Sequence, residues 1–454
     1  MAVQLQRQMY LVAGRSCVTE IRVPGRSVHA GAIADAVATL IASQELRHEM
    51  GQRGRERAVN EFSQEIIIAQ ILNLYSKMKK LCFVATIPAV VQSFMGSHIR
   101  ASSKKWSTKI VTSADSAELL SELGAEFVPL TIKRRVSFWC DVRALVRLVV
   151  LFSKGDFDLV HSIMPKAGFM AMFAAWLTRV PNRLHTFTGQ VWATRCGLKR
   201  HLLKQFDKLT VLFATHILVD SPSQRDFLVA EGVLTAGKGI VIGRGSICGV
   251  DVNRFHPDSI VGNEVRAELS IGPEQTVILF LGRLNREKGM LDLAAAFVDI
   301  ASQNSDVVLV LVGAEEDVSY ARIQDICGMY ADRLRRVAFT TFPERYMATA
   351  DIFCLPSYRE GFGQVIIEAG ACAVPSVASR IYGITDAIED GETGILFPAG
   401  DINALSQSLL QLIKDKNLRE KMGNAARARV TEMFSMQEIT QEMNALYSKL
   451  LNRY

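Results

Sequence analysis

In the segment Pro356-Ser357-Tyr358-Arg359-Glu360-Gly361-Phe362-Gly363-Gln364-Val365-Ile366-Ile367-Glu368-Ala369, two carboxylates flank a pair of glycines. The apolar run Ile352 to Leu355 before it reads as a buried strand, and the periodic apolar residues after it read as a helix. Backbone N–H groups at such a strand-to-helix turn form an anion site, and glycine lets the backbone approach a ligand closely. Carboxylates would repel that anion. Glu360 and Glu368 are better suited to accept hydrogen bonds from hydroxyl groups. An anion cradle at Gly361, Phe362 and Gly363 with hydroxyl-binding carboxylates beside it describes a nucleotide-sugar site. The diphosphate lies in the middle, the sugar at one end and the ribose at the other.

A second cluster, Gly282-Arg283-Leu284-Asn285-Arg286-Glu287-Lys288-Gly289, follows the apolar run Val277 to Phe280. Ligands of doubly wound sheets bind beyond the carboxyl ends of strands, so Arg283 and Lys288 are candidates for a diphosphate. Arginine grips phosphate oxygens as a fork, and lysine adds a point charge. Arg286 and Glu287 read as surface residues. Gly96-Ser97-His98 after the first apolar strand either touches donor phosphates or simply starts a helix. Asp156-Phe157-Asp158 has a metal-binding form but precedes a strand and reads as a surface turn, so no metal site is expected. Gly243 to Gly249 has the wrong spacing for a dinucleotide fingerprint and reads as a loop near a domain cleft.

These residues also carry a resemblance. Glu360 and Glu368 match the E-x7-E signature of the retaining family-4 glycosyltransferases, and the surrounding PSxxEGFG, Gly383-Ile384 and Gly391-Glu392-Thr393-Gly394 are similar to that family too. Arg283 and Lys288 fit its G-R-x-x-x-x-K-G pattern, in which both cations hold the donor diphosphate. The resemblance covers most of the chain from Met78 onward. It implies a GT-B architecture, in which two Rossmann-like domains face each other across a cleft. Two departures stand out. Thr188 occupies a position where many members carry a histidine beside the reacting sugar. His185 is offset by three residues and reads as a packed strand-end histidine. The stretch Phe339 to Arg345 is shorter than the usual loop near the nucleotide base, which puts base recognition in question.

The elements that position these residues alternate. Leu81 to Ala85, Lys109 to Thr112, Leu159 to His161, Arg183 to Phe187 and His216 to Val219 read as strands separated by helical patterns. A second alternating block holds Val277 to Phe280, Val307 to Val312, Ile352 to Leu355 and Ser376 to Ala378. Alternation of this kind argues parallel α/β sheets. Phe255 to Asn263 reads as a polar joint between the blocks.

The segment from Leu40 to Lys77 repeats a stretch near the C-terminal end. Shifted by 372 positions, Leu40-Ile41 overlays Leu412-Ile413, Leu46-Arg47 overlays Leu418-Arg419, and Met50-Gly51 overlays Met422-Gly423. Arg55, Arg57, Phe62-Ser63 and Leu74 to Lys77 find their counterparts without a gap, and Val23-Pro24 echoes Phe397-Pro398. The expected organisation is therefore a helical appendage over 1–77 that resembles the tail of a second such transferase. An acceptor-side domain over 78–255, a nucleotide-sugar domain over 256–430 and a crossing helix over 431–454 follow.

Composition fits a globular enzyme. The chain has 454 residues, 49% of them hydrophobic and 22% charged, enough for two or three cores. A net charge of +6 suits anionic substrates or an anionic membrane surface and does not demand nucleic acid. Eight scattered cysteines without a C-x-x-C pair read as reduced thiols. The N-terminus shows no signal-peptide pattern, and no apolar run is long enough to span a bilayer. Phe138-Trp139 and the basic, apolar stretch from Lys133 to Phe152 read either as a core-packed helix or as one lying on a membrane surface.

The sequence thus points to a cytoplasmic glycosyltransferase, peripheral at the inner face of the membrane. Its donor would be a nucleoside-diphosphate sugar, UDP-linked, and its acceptor a lipid-linked saccharide of cell-surface polysaccharide assembly. No other cofactor is expected. The resemblance implies front-face attack, with departure assisted by Arg283 and Lys288, the sugar held by Glu360 and the ribose by Glu368. A GT-B nucleotide-sugar epimerase and a non-catalytic nucleotide-sugar binder are the alternatives.

Overall fold

The computed structural model describes residues 30–68, 78–114, 120–133 and 137–452. The expected matches at Val23-Pro24 and Leu74 to Lys77, together with Cys17 and Arg134 to Val136, lie outside the described residues. The chain divides into two compact units. One reaches to Lys79 and includes Lys104–Trp106; the other comprises Lys80–Ser103 and Ser107–Tyr454.

The larger unit holds two parallel sheets. The first has seven strands: β1 (Lys80–Val84), β2 (Ser107–Thr112), β3 (Glu126–Pro129), β4 (Leu159–Ile163), β5 (Asn182–Phe187), β6 (His216–Val219) and β7 (Ile240–Val241), in the order β3-β2-β1-β4-β5-β6-β7. The second has six: β8 (Thr276–Leu281), β9 (Val307–Val312), β10 (Leu334–Val337), β11 (Ile352–Leu355), β12 (Ser376–Ser379) and β13 (Gly394–Phe397), in the order β10-β9-β8-β11-β12-β13. Helices cover both faces, so central strands such as β9 and β11 are buried along their whole length and read as unbroken apolar runs. This is the α/β, two-domain GT-B architecture expected from the sequence.

The strands that the sequence left unmarked are β3, β7, β10 and β13, which are the four sheet edges. These edges are short, and β3 and β10 are only partly covered, so they need no apolar run. β10 is Leu-Arg-Arg-Val, and β7 has two residues. The joint expected over Phe255 to Asn263 is also corrected. Phe255 is buried, and Asp258 caps the helix Ser259–Glu268 by accepting from the N–H groups of Ile260 and Val261.

Strand order reverses between β1 and β4 and again between β8 and β11. Crevices open at such switch points, beyond the carboxyl ends of the strands. Arg283 and Lys288 follow β8, and Glu360 follows β11, so the second switch point collects them.

The helix Met436–Leu451 returns to the first sheet. Tyr447 Oη is hydrogen-bonded to His161 Nδ1 at 2.8 Å, Ser102 Oγ donates to Asn444 Oδ1 at 3.3 Å, and Gly243 N–H donates to Glu442 Oε2 at 2.6 Å.

In the smaller unit, helices Ala30–Ala42 and Gln44–Phe62 reproduce the pair Ile402–Lys414 and Lys416–Met433. Ser43 caps the second helix by accepting from Leu46 N, as Asp415 accepts from Leu418 N. Arg47 Nη1 donates back to the carbonyls of Leu40 and Ile41, as Arg419 Nη1 does to those of Leu412 and Ile413. Ser63 accepts from Ile66 N, as Ser435 accepts from Glu438 N. Each pair is 372 positions apart. Burial differs: Met422 is 4% exposed and Phe434 is 0% exposed, whereas Met50 and Phe62 are 53% and 44% exposed.

Candidate active site

The loop after β11 ends in Gly363, whose φ of 83° is left-handed, and hands over to the helix Gln364–Ala371. Only glycine takes that turn without strain. Gly361 is required for a different reason. A Cβ there would stand 2.1 Å from Asp220 Oδ2 and 2.9 Å from Gly189 N, so the loop touches the first domain. The cavity at this contact is lined by Arg283, Lys288, Glu360 and Gly361 to Gly363 from the second sheet, with Thr188 and Asp220 from the first.

Glu360 is the centre of the arrangement. Its Oε1 takes the ammonium of Lys288 and also accepts from Ser357 Oγ at 2.8 Å. Asn285 supports this by accepting from Lys288 N at 2.8 Å, which holds the short turn Arg286–Lys288 in shape. Arg283 pairs with Glu316, which also accepts from Asn285 Nδ2 at 2.6 Å. The segment after β8 thus brings two cations to the cavity, Lys288 paired with Glu360 and Arg283 paired with Glu316.

Glu287 corrects its expected surface assignment. It is half-buried, and its carboxylate takes Arg359 at 2.7 Å from the second domain and Arg195 at 3.1 Å from the first. Thr194 Oγ1 donates to it at 3.3 Å. Burial alone would raise the Glu287 carboxyl, but Arg359 and Arg195 outweigh it and hold it below the ordinary range. Arg359 also donates to Gly189 O at 3.1 Å. Further bonds cross the same boundary: Gly383 N–H donates to Ser223 Oγ at 2.7 Å, and Ser246 Oγ donates to Gln364 Oε1 at 2.9 Å.

Glu368 lies a turn along the helix from Gln364 and does not line the cavity with Glu360. Burial pushes its carboxyl up to about 7, against a hydrogen bond from Gln364. Gly96 is also outside the cavity. It sits within a continuous helical run from Pro88 to Ser102 rather than at a free helix start, and Phe94 lines the wall. The neighbouring His98 is buried and hydrogen-bonded to Ile247 O at 2.6 Å. His185 is packed as expected, with Nδ1 on Ser162 Oγ at 2.9 Å and its ring against Phe187. Asp158 takes Lys80 N–H at 2.8 Å, with Phe157 buried beside it. The described cysteines are all free thiols. Asp220, Arg359, Asn285 and Glu316 were given no role from the sequence. Asp220 carried a usable signal, since it directly follows the apolar strand β6.

Comparison with known proteins separates along the same two sheets. Residues 100–245 match the glycosyl transferase 4-like domain, and residues 262–429 match the glycosyl transferases group 1 family. The chain belongs to the GT-B glycosyltransferases. This glycosyltransferase is 28% identical to the capsular polysaccharide biosynthesis glycosyltransferase CapM of Staphylococcus aureus over 83% of the chain and 98% of that protein. It is 27% identical to the Escherichia coli UDP-Gal:alpha-D-GlcNAc-diphosphoundecaprenol alpha-1,3-galactosyltransferase over 71% of the chain and 83% of that enzyme. Among solved structures, the Anabaena HepE protein in complex with UDP and glucose superposes with a TM-score of 0.69 at 19% identity, covering 82% of this glycosyltransferase and 100% of HepE. That likeness is one of fold.

Proposed function

We propose that this glycosyltransferase moves a hexosyl or N-acetylhexosaminyl group, with retention, from a UDP-sugar to a lipid-linked saccharide in cell-surface polysaccharide assembly. The observation that carries the reading is the meeting of Lys288, Arg283 and the Gly361–Gly363 turn around Glu360 in one cavity. An ammonium has three donors, so Lys288 can serve Glu360 and a phosphate oxygen together. Arg283 and the backbone amides add preorganised positive potential where the leaving diphosphate gathers charge. Glu360 then accepts from hydroxyls of the donor sugar, and Glu368 from those of the ribose. The acceptor hydroxyl attacks on the face from which the diphosphate leaves, and a phosphate oxygen takes its proton. The name of the diphosphoundecaprenol-dependent galactosyltransferase supports the choice of donor and acceptor class, and that of CapM supports polysaccharide assembly.

A peripheral membrane position belongs to the same reading. The helix Phe138–Gly155 buries Ala144, Leu148 and Phe152 and leaves Phe138, Trp139, Val142, Val146 and Val150 exposed on its other side. Trp139 is 80% exposed. Basic residues Arg143 and Arg147 interrupt this stripe, as expected of a helix resting on anionic lipid. Among the described residues no helix is long and apolar enough to cross a membrane.

The test is a thermal-shift screen of UDP-, GDP- and ADP-sugars, followed by transfer to a polyprenyl-diphosphate saccharide and determination of the product anomer. Stabilisation by UDP-sugars and a retained anomer are expected. Stabilisation by none of the nucleotide sugars, or an inverted product, would overturn the reading.

A further inference from the structure

Asp220 directly follows β6 and is held rigidly by its backbone. Its N–H donates to Gln224 Oε1 at 2.7 Å, and its carbonyl accepts from Ser246 N–H at 2.8 Å. The residue is 5% exposed and lines the cavity that holds Glu360, Lys288 and Arg283. One carboxyl oxygen, Oδ2, is pressed against the Gly361 backbone, where a Cβ would come within 2.1 Å. The other, Oδ1, is buried without a hydrogen-bond partner. A buried polar atom left unpaired is costly and calls for an explanation. The remaining carboxylates of the cavity are each served: Glu360 by Lys288 and Ser357, Glu287 by Arg359 and Arg195.

We propose that Asp220 is a substrate-contacting residue whose Oδ1 hydrogen-bonds a hydroxyl group of a sugar seated in this cavity beside Thr188 and Glu360. It is the first domain's counterpart to Glu360, gripping the sugar from the opposite wall. Burial, with the charge of Glu360 adding to it, pushes the Asp220 carboxyl well up. A neutral carboxyl can both donate and accept, which matches a sugar hydroxyl and does not repel a neighbouring diphosphate. The hydroxyl belongs either to the transferred sugar or to the acceptor. The inference rests on the glycosyl-transfer reading above.

The experiment compares the full chain with Asp220→Ala and Asp220→Asn, using the UDP-sugar that stabilises wild type. Asp220→Ala should lose roughly 10- to 100-fold in kcat/KM, the range of a lost hydrogen bond to a buried group. Its melting temperature and its affinity for bare UDP should match wild type, because the carboxyl holds no part of the protein and no part of the nucleotide. Asp220→Asn should recover most of the loss, since an amide is also a neutral donor and acceptor. Slower donor hydrolysis without acceptor assigns the hydroxyl to the donor sugar; a raised acceptor KM with unchanged hydrolysis assigns it to the acceptor. Wild-type turnover in Asp220→Ala overturns the inference. So does a fall in both melting temperature and UDP affinity, or an Asn variant as inactive as Ala. If wild type binds no nucleoside diphosphate at all, the functional reading falls first and takes this inference with it.

Discussion

Lys288 and Glu360, 72 positions apart in the chain, share one carboxylate oxygen with Ser357 at the mouth of the second switch point. One partner comes from the turn after β8 and the other from the loop after β11. The pair therefore locks two loops of one sheet into a single surface. Because both side chains are mostly buried, neither loop can shift without exposing a charge.

Lys288→Ala and Arg283→Ala should each cost roughly 2–4 kcal/mol of transition-state stabilisation, as expected for a removed preorganised charge partner. Lys288→Ala also leaves Glu360 without its cation, so its melting temperature should fall more than that of Arg283→Ala, whose side chain is the more exposed. Steady-state kinetics and thermal melts check both. Equal melting temperatures would show that the pair contributes nothing to the fold.

Glu360→Ala and Glu368→Ala should separate. The first should change the ranking of donor sugars while leaving bare UDP affinity near wild type. The second should weaken bare UDP itself. Calorimetric titration with UDP decides; identical UDP affinity in wild type and Glu368→Ala would remove the ribose assignment.

Stability should respond to pH through two opposed sets of buried groups. Burial lowers His98 to about 4, His185 to about 3 and His161 well below its ordinary value of 6.5. The unfolded chain binds these protons first, so stability present above pH 6.5 is lost as pH falls toward 4. Asp207 runs the other way. Burial raises its carboxyl from 3.8 to about 7, although Trp192 Nε1 donates to it at 2.6 Å. Its contribution is present below pH 3.8 and lost as pH rises through 7. Asp207→Asn should therefore gain on wild type between pH 4 and 7 by up to about 1.4 kcal/mol per pH unit. Denaturant melts across that range would show a constant difference if Asp207 were not protonated in the fold.

Trp139→Glu, alone and with Phe138→Glu, should reduce co-sedimentation with vesicles containing anionic lipid severalfold. Turnover on a soluble acceptor analogue should not change, because these side chains lie outside the cavity. Equal binding of wild type and variants to the vesicles would exclude this face from membrane contact.

A chain starting at Met78 should melt at the temperature of the full chain and keep its turnover. The residues it lacks include no counterpart of Arg283, Lys288 or Glu360. A lower melting temperature or lost activity would make the appendage part of the working enzyme.

Legibility in the sequence followed burial and locality. β9 and β11 were readable to the residue because interior parallel strands are unbroken apolar runs. The sheet edges were not: β3 and β10 mix charged and apolar residues, and β7 and β13 are too short to stand out. Arg283, Lys288 and Glu360 were readable because each follows such a strand. Glu287 and Arg359 act through partners more than 70 positions away or in the other domain, and no local pattern reports such pairings. Gly96 falls inside a helical run and not at the beginning of one, which the glycine alone did not report.

The paired copies of the tail form a control experiment inside one molecule. The same capping serines or aspartate and the same arginine clamp appear in both, yet only one copy has its apolar seam covered. The bend between the helices is thus written in short-range contacts and owes nothing to the surface it rests on. Hydrogen exchange on the full chain could read the two copies side by side. The difference in protection between Met50 and Met422 would measure what docking adds to a shape that already exists.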